Sequence, residues 1–310
     1  MKGMYPVSKG KKIIISVICM LLAVILAALA VFFWHWPRYL VRRPLLADLQ
    51  PSGDTVRIMS CNLRCLTPLD LGKKSWFYRA DLIAEEIRDR APGIIGFQEA
   101  TRWQYRYLTE AMPGYDSVIE YRDDTLLAEG CPIFYSMELY TLKDKGSFWL
   151  SETPEVMSRD WGAAHNRICS YVILEEKATR KELVVFNTHL DHVSDEARIK
   201  GIAVVLDKIA QFGGLPAVIM GDFNALEGSE TYRSATENFL DAQYAAENTM
   251  EGHTYQNWGN PEKFKRLDYF MLSKTGIQAL GYEVLPGTRE GVWLSDHCPI
   301  VLDLALTVDS

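Results

Sequence analysis

Ala217-Val218-Ile219-Met220-Gly221-Asp222-Phe223-Asn224 runs four apolar residues into a glycine, then sets a carboxylate and an amide around one aromatic. The apolar run is too short for a helix and suits a buried strand, with the polar pair where such a strand would stop. The same event recurs along the chain. Met59-Ser60-Cys61-Asn62 ends a strand-like run in an amide, and Gly96-Phe97-Gln98-Glu99 ends one in a carboxylate. Phe186-Asn187-Thr188-His189-Leu190-Asp191-His192 ends one in imidazoles. Arg266-Leu267-Asp268-Tyr269-Phe270 sets one Asp in an apolar strand, and Ser295-Asp296-His297-Cys298-Pro299 leads into the last strand. Chemistry in α/β proteins collects at strand ends, because the sheet fixes such side chains while leaving them open.

Around these stops, strand patterns are predicted at 56–61, 94–97, 117–121, 132–134, 139–142, 168–174, 183–187, 217–220, 267–272, 282–285 and 299–306. Helical periodicity is predicted at 76–90, 101–112 and 195–211, and Pro92-Gly93, Pro113-Gly114 and Gly213-Gly214 break the chain after or between elements. Many strands with a few helices, without strict βαβ alternation, predict a mixed two-sheet α/β sandwich.

The N-terminus is of another kind. Ile13 to Trp34 is 22 residues without a charge, about 33 Å as a helix and enough to cross a bilayer core of about 30 Å. The division predicted is a short basic tail 1–12, a transmembrane helix 13–34, a juxtamembrane linker 35–52 and one catalytic domain 53–310. A cleaved signal peptide is the alternative, with Ala28-Leu29-Ala30 as its small-residue site. Trp34, Trp36 and Tyr39 fit an interfacial aromatic belt. Lys2, Lys9, Lys11 and Lys12 precede the span, against Arg38, Arg42 and Arg43 after it. That bias predicts a cytoplasmic tail and a single-pass protein with its domain extracytoplasmic.

Residues 1–52 carry seven Lys or Arg against one Asp, so of the chain's net −7 the remainder carries −13. A domain that grips long polyanions usually has the opposite sign, which makes long duplex DNA an unlikely partner. Lys263, Lys265 and Arg266 before Asp268, and Arg102 and Arg106 after Glu99, are local cations that would hold one or two phosphates. Cys61, Cys65, Cys131, Cys169 and Cys298 are scattered without a CxxC pair, so neither a zinc ribbon nor a disulfide framework is signalled. No stretch signals a protein partner.

Taken singly, the polar residues are weak signals. A lone Asp such as Asp268 is commonly a turn or salt-bridge residue, and a lone His such as His189 a hydrogen-bonded structural one. His165, His192 and His253 are read that way, and Glu227 and Asp195 as loop and helix-cap residues. Taken together, Asn, Glu, Asp and His without a Cys pair or reactive Ser motif make one kit. Carboxylate and amide oxygens suit a hard cation such as Mg²⁺. Imidazoles beside carboxylates suit proton transfer and phosphate neutralisation.

The blocks CNLR, FQE, FWLSETPE, NTHLDH, GDFNA, RLDYF and SDH, in this order over residues 57–305, resemble the endonuclease/exonuclease/phosphatase superfamily. The resemblance implies a four-layer α/β/β/α sandwich of two mixed β-sheets. It implies a phosphoester substrate and Mg²⁺, or Mn²⁺ in its place. Glu99 would be the principal metal ligand, with Asn62 and Asp296 close to the metal. Asp222 would position or deprotonate the attacking water, and Asn224 would hold it and the phosphate. His297 would contact the scissile phosphate, oriented by Asp268; His189 would be the second phosphate-facing imidazole; Arg167 would contact substrate phosphate. Gly162 stands where the family usually has an aspartate after Trp, which removes a polar role from that position. The ester is left open between monoester and diester. A nuclease is one alternative. A non-catalytic binding protein of the same fold is another, although such a protein should have lost a residue of the set. Specificity is expected in the loops 121–131 and 241–264.

Overall fold

The computed structural model describes residues 9–41 and 55–307, with side chains from 9–30 and 55–307. Helix α1 spans Lys9–Val41. Its part Lys9–Ala30 is long and apolar enough to cross a membrane. The helix runs seven residues past the predicted end at Trp34 and takes up the start of the predicted linker. Pro37 lies within it. The remaining linker residues and the side chains of Trp34, Trp36 and Tyr39 lie outside the described residues.

The domain is a four-layer α/β/β/α sandwich. Its main strands are β1 (Val56–Asn62), β2 (Ile94–Gln98), β3 (Tyr115–Val118), β4 (Ile133–Ser136), β5 (Tyr140–Trp149), β6 (Ile168–Glu176) and β7 (Glu182–His189). They continue with β8 (Ala217–Asp222), β9 (Phe239–Asp241), β10 (Asn248–Met250), β11 (Asp268–Ser273), β12 (Ile277–Val284) and β13 (Ile300–Leu306). One sheet has the order β10-β12-β13-β1-β2-β4-β3 and the other β9-β11-β8-β7-β6-β5. Both are mixed: β1 pairs parallel with β2 and antiparallel with β13, and β8 pairs parallel with β7 and antiparallel with β11.

Three apolar layers follow from strand alternation. Ile58, Ile94, Val185, Val218 and Leu302 face each other between the sheets. Met59, Ile95 and Phe97 turn outward under helices α2 (Trp76–Arg90) and α3 (Arg102–Ala111). Phe186, Ile219 and Tyr269 turn outward under α4 (Asp195–Ala210) and α5 (Glu230–Asn238). The predicted α2 is met residue for residue, because Leu82, Ile83 and Ile87 form its buried stripe. Thr101 and Gln104 make a reciprocal cap that starts α3, and Ser194 rather than Asp195 caps α4.

The parallel pairs set the site. β1 and β2 stop side by side at Asn62 and Gln98, and β7 and β8 stop side by side at His189 and Asp222. Gly221 before Asp222 has φ +135°, and a Cβ there would lie 1.9 Å from the Thr188 carbonyl oxygen. Gly213 is also left-handed, at φ +67°, but meets nothing within 4 Å. Gly221→Ala should therefore cost about 1–3 kcal/mol or more through strain and backbone displacement, and Gly213→Ala about 1–2 kcal/mol through left-handed strain alone. Thermal denaturation of both variants checks this; equal melting temperatures would contradict the close-approach argument.

Candidate active site

Asn62 ends β1, Glu99 follows β2, His189 ends β7, Asp222 ends β8, Asp268 opens β11, and Asp296 and His297 precede β13. All are buried except Glu99, which is partly so, and all but Asn62 and Asp268 line one cavity of about 380 Å³ with Asn224 and Arg167. Asp222 is the hub. Its Oδ2 accepts from Asn62 Nδ2 at 3.1 Å, and lies 3.5 Å from His189 Nε2 and 3.6 Å from His297 Nε2. Its Oδ1 accepts from the Asn224 backbone N–H at 2.8 Å. Asn62 Nδ2 also reaches Glu99 Oε1 at 3.1 Å, and Glu99 Oε2 accepts from the Cys65 N–H at 2.9 Å. His297 Nδ1 pairs with Asp268 Oδ2 at 2.8 Å. Asn224 Nδ2 donates to the Leu190 carbonyl at 3.1 Å. Glu99 and Asn224 hold left-handed backbone, at φ 59° and 48°, a conformation that costs free energy in a non-glycine residue and collects at functional sites.

The electrostatics split the two imidazoles. Burial alone would lower His297, but Asp268 and Asp222 outweigh it and raise its pKa well above the ordinary value. His189 is lowered well below by burial, with Arg167 and Arg122 adding to it. Burial raises Asp222 to about 7, with His297 opposing and Asp268 adding. Burial also raises Asp296. For Glu99 burial is outweighed by the Cys65 N–H, His297, Arg64 and Asn62, and the carboxyl sits below its usual range.

The donor set fits a hard divalent cation. Glu99, Asn62 and Asp296 offer oxygens, while the thiol of Cys65 on the cavity wall is pushed up by burial and stays protonated. Ligand atoms of Asp222, Asp268 and His297 also lie within 4.8 Å of one another; there the 2.8 Å hydrogen bond engages His297 and Asp268 with each other.

Several expectations change. His165 and His192, read as structural, line the cavity, as do Arg64, Arg122, Glu129, Tyr255 and Lys265. Arg266 does not hold phosphate. It is buried against Asp241, with Nη1 and Nη2 at 2.8 and 2.6 Å from the carboxylate, and also pairs with Glu227, read as a plain loop residue. Arg102 stacks on Tyr121 and Arg106 pairs with Glu110, both away from the cavity lining. Gly162 has φ +70°, a conformation that favours glycine over the family's usual aspartate.

A family model described as endonuclease/exonuclease/phosphatase matches residues 59–297, and the chain belongs to that family. Its members are generally hydrolases of phosphoesters and typically depend on a divalent metal. A solved family structure from Bacteroides vulgatus is 32% identical, covers 82% of this chain and 100% of its own, and superposes with a TM-score of 0.78. The mannosyl-6-phosphatase of Bacteroides thetaiotaomicron VPI-5482 is 31% identical, with 81% and 100% covered and a TM-score of 0.74. The CCR4-Not complex 3'-5'-exoribonuclease subunit Ccr4 of Schizosaccharomyces pombe is 23% identical over 67% of this chain, which spans only 39% of that protein.

The His297–Asp268 pair makes a direct prediction. In metal-free protein the His297 imidazole should be charged at pH 7, and Asp268→Asn should move its titration midpoint down by about 1–3 pH units. ¹⁵N-resolved NMR titration reads both; a wild-type His297 titrating near the ordinary value would overturn the assignment.

Proposed function

We propose that this chain hydrolyses a phosphate ester, with Mg²⁺ or Mn²⁺ as cofactor, by in-line attack of water on phosphorus. The observation that carries this reading is the Asp222 hub, where one carboxylate meets Asn62, His189 and His297 within 3.6 Å on the wall of an open cavity. Asp222 and Asn224 position the water. Burial raises the Asp222 carboxyl to about 7, close to the operating pH at which a general base is most effective. His297, oriented by Asp268, and His189 face the phosphoryl oxygens, and Arg167 adds a guanidinium. The bond from water oxygen to phosphorus forms as the bond to the leaving oxygen breaks. Asp222 takes the water's proton, and the leaving oxygen takes one in turn. Glu99, Asn62 and Asp296 would hold the cation, whose charge when bound stabilises the phosphoryl oxygens.

The substrate class supported best is a small phosphoester, a lipid headgroup or a short oligonucleotide. The domain's net −13 opposes long duplex DNA, and of the local cations noted in the sequence only Lys265 lines the cavity. Likeness to a mannosyl-6-phosphatase supports the small ester. Likeness to Ccr4 supports a second reading, a nuclease acting on RNA or DNA. The apolar helix α1 supports a single-pass anchor, and the Lys-rich lead favours a domain outside the cytoplasm.

Hydrolysis of p-nitrophenyl esters should require Mg²⁺ or Mn²⁺ and vanish with a chelator. Glu99→Ala should weaken metal binding by calorimetry, whereas Asp222→Asn should keep binding and lose turnover. His297→Ala should lower kcat at least about 10²-fold, as removal of a positioned proton-transfer group does. Chelator-resistant hydrolysis would defeat the cofactor assignment.

Location is tested separately. Protease added outside spheroplasts should digest the domain; full protection would reverse the orientation, and release into the medium would favour a cleaved signal peptide.

A further inference from the structure

One end of the cavity is built largely from parts the mechanism above leaves unused. Arg122, Glu129, His165 and His192 line it beside Arg167, Glu99 and His189. Arg167 is buried, and its Nε takes Asp191 at 3.2 Å. Its Nη2 lies 2.8 Å from His192 Nδ1. A guanidinium has only donors, so His192 Nδ1 accepts, and the His192 proton sits on Nε2. The ring is thereby fixed as a neutral donor, in line with the lowering of its pKa by burial and by Arg167. His165 stacks on His192 at 5.7 Å between centroids. Arg122 gives Nη1 to Glu129 at 2.7 Å, while its Nε is buried without a hydrogen bond, 3.5 Å from Asp123. Each arginine has its own carboxylate, so the wall is close to neutral in sum yet keeps N–H groups over.

The same wall is strapped shut. The Arg122 carbonyl accepts from Trp149 Nε1 at 3.1 Å and Asn166 Nδ2 at 3.0 Å. The Arg122 N–H pairs with the Glu129 carbonyl at 2.9 Å. Loop 121–130 is thus pinned across the end of β5 and the entry to β6. Behind it only about 10 Å³ is left, lined by Arg122, Glu129, Asn166 and Arg167 among others, too little for more than a single water.

We propose that this strapped donor wall makes the site a phosphomonoesterase: its N–H groups take terminal phosphate oxygens, and the closed end leaves room for one organic substituent on phosphorus. This rests on the hydrolase reading and narrows it. With the unsubstituted oxygens on the wall, a diester's second substituent would have to lie against the strap or take an oxygen away from its donors. A monoester instead offers the wall an extra unsubstituted oxygen, and N–H donors meet it with charge-assisted hydrogen bonds. In the reaction, the ester R–O–PO₃²⁻ and water give R–OH and HPO₄²⁻. One water proton ends on the leaving oxygen and the other stays on the phosphate.

The test compares p-nitrophenyl phosphate with bis(p-nitrophenyl) phosphate, in Mg²⁺ and in Mn²⁺, on the full chain and on Arg122→Ala, Asn166→Ala and His192→Phe. Wild type should favour the monoester by about 10²-fold or more in kcat/KM. Arg122→Ala and His192→Phe should each lower monoester kcat/KM about tenfold or more, the worth of one hydrogen bond to a charged group, with diester turnover within about threefold. Asn166→Ala, which loosens the strap, should raise diester turnover. Inorganic phosphate should bind wild type in calorimetry and bind His192→Phe about tenfold more weakly; His192 is exposed, so this variant keeps the fold. Wild-type preference for the diester, or parallel losses on both esters, would overturn the inference and leave the hydrolase reading standing. No hydrolysis of either ester would remove the hydrolase reading and this one with it.

Discussion

The site depends on a polar lock between the two sheets. Gln98 Nε2 reaches Asn187 Oδ1 at 2.6 Å and Ser60 Oγ at 3.1 Å, and Asn187 Nδ2 donates to the carbonyls of Phe97 at 2.8 Å and Pro132 at 2.9 Å. All of these side chains are buried. An apolar interface between sheets tolerates sliding at modest cost, because dispersion and burial are non-directional. Buried amides do not tolerate it, since each unpaired polar atom costs about 1–3 kcal/mol. The lock lies one residue short of Glu99 and two short of His189. It therefore fixes the register in which one sheet's Asn62 and Glu99 meet the other's Asp222 and His189.

That register brings together a set of groups that would repel one another if left to themselves. Glu99, Asp222, Asp268 and Asp296 are acids gathered within one region, and burial penalises the charges of Glu99, Asp222 and Asp296. The chain answers with asymmetry. His297 lies between Asp268 and Asp222 and is held charged; His189 touches Asp222 alone, faces two arginines, and is held neutral. One residue type thus supplies a cation and a neutral ring a few ångströms apart. Arg64 lies 3.9 Å from Asp296 and also favours the Glu99 charge, so the two carboxylates offered to a cation are partly compensated by the chain itself.

Much of this was legible in the sequence, for a physical reason. Strand stops, alternation and the α2 stripe are local; the positive φ that the glycine before Asp222 adopts is not read from the sequence. What escaped was either polar throughout or made by distant pairing. α5 buries only Thr231 and Ala235 and has no apolar stripe, though Ser229 is a readable cap. β5 is an edge strand whose exposed Lys143–Lys145 stretch hides its continuation from Leu142 to Trp149. Arg266 looks like a phosphate ligand until Asp241, 25 residues away, is seen to take it. His192 looks structural until Arg167 fixes its tautomer. Arg122 and Glu129 lay in a loop flagged for specificity but carrying no motif.

Topology also sets α1 apart from the cavity. β1 is entered at Val56 and reaches the site only at Asn62, about 20 Å further along at roughly 3.3 Å per residue. The polypeptide from α1 therefore joins the domain at the end remote from the cavity. Residues 42–54 are few enough to span at most about 43–47 Å fully extended, so they limit how far the domain can lie from α1 without fixing which way the cavity faces. A site built for membrane-embedded esters would gain from entering the domain at the other end, beside its mouth. On the proposed reading, selection would fall to the cavity itself, to the donors on Arg122, Arg167 and His192 and the strap behind them. These would read phosphate oxygens and the room around phosphorus, independently of α1.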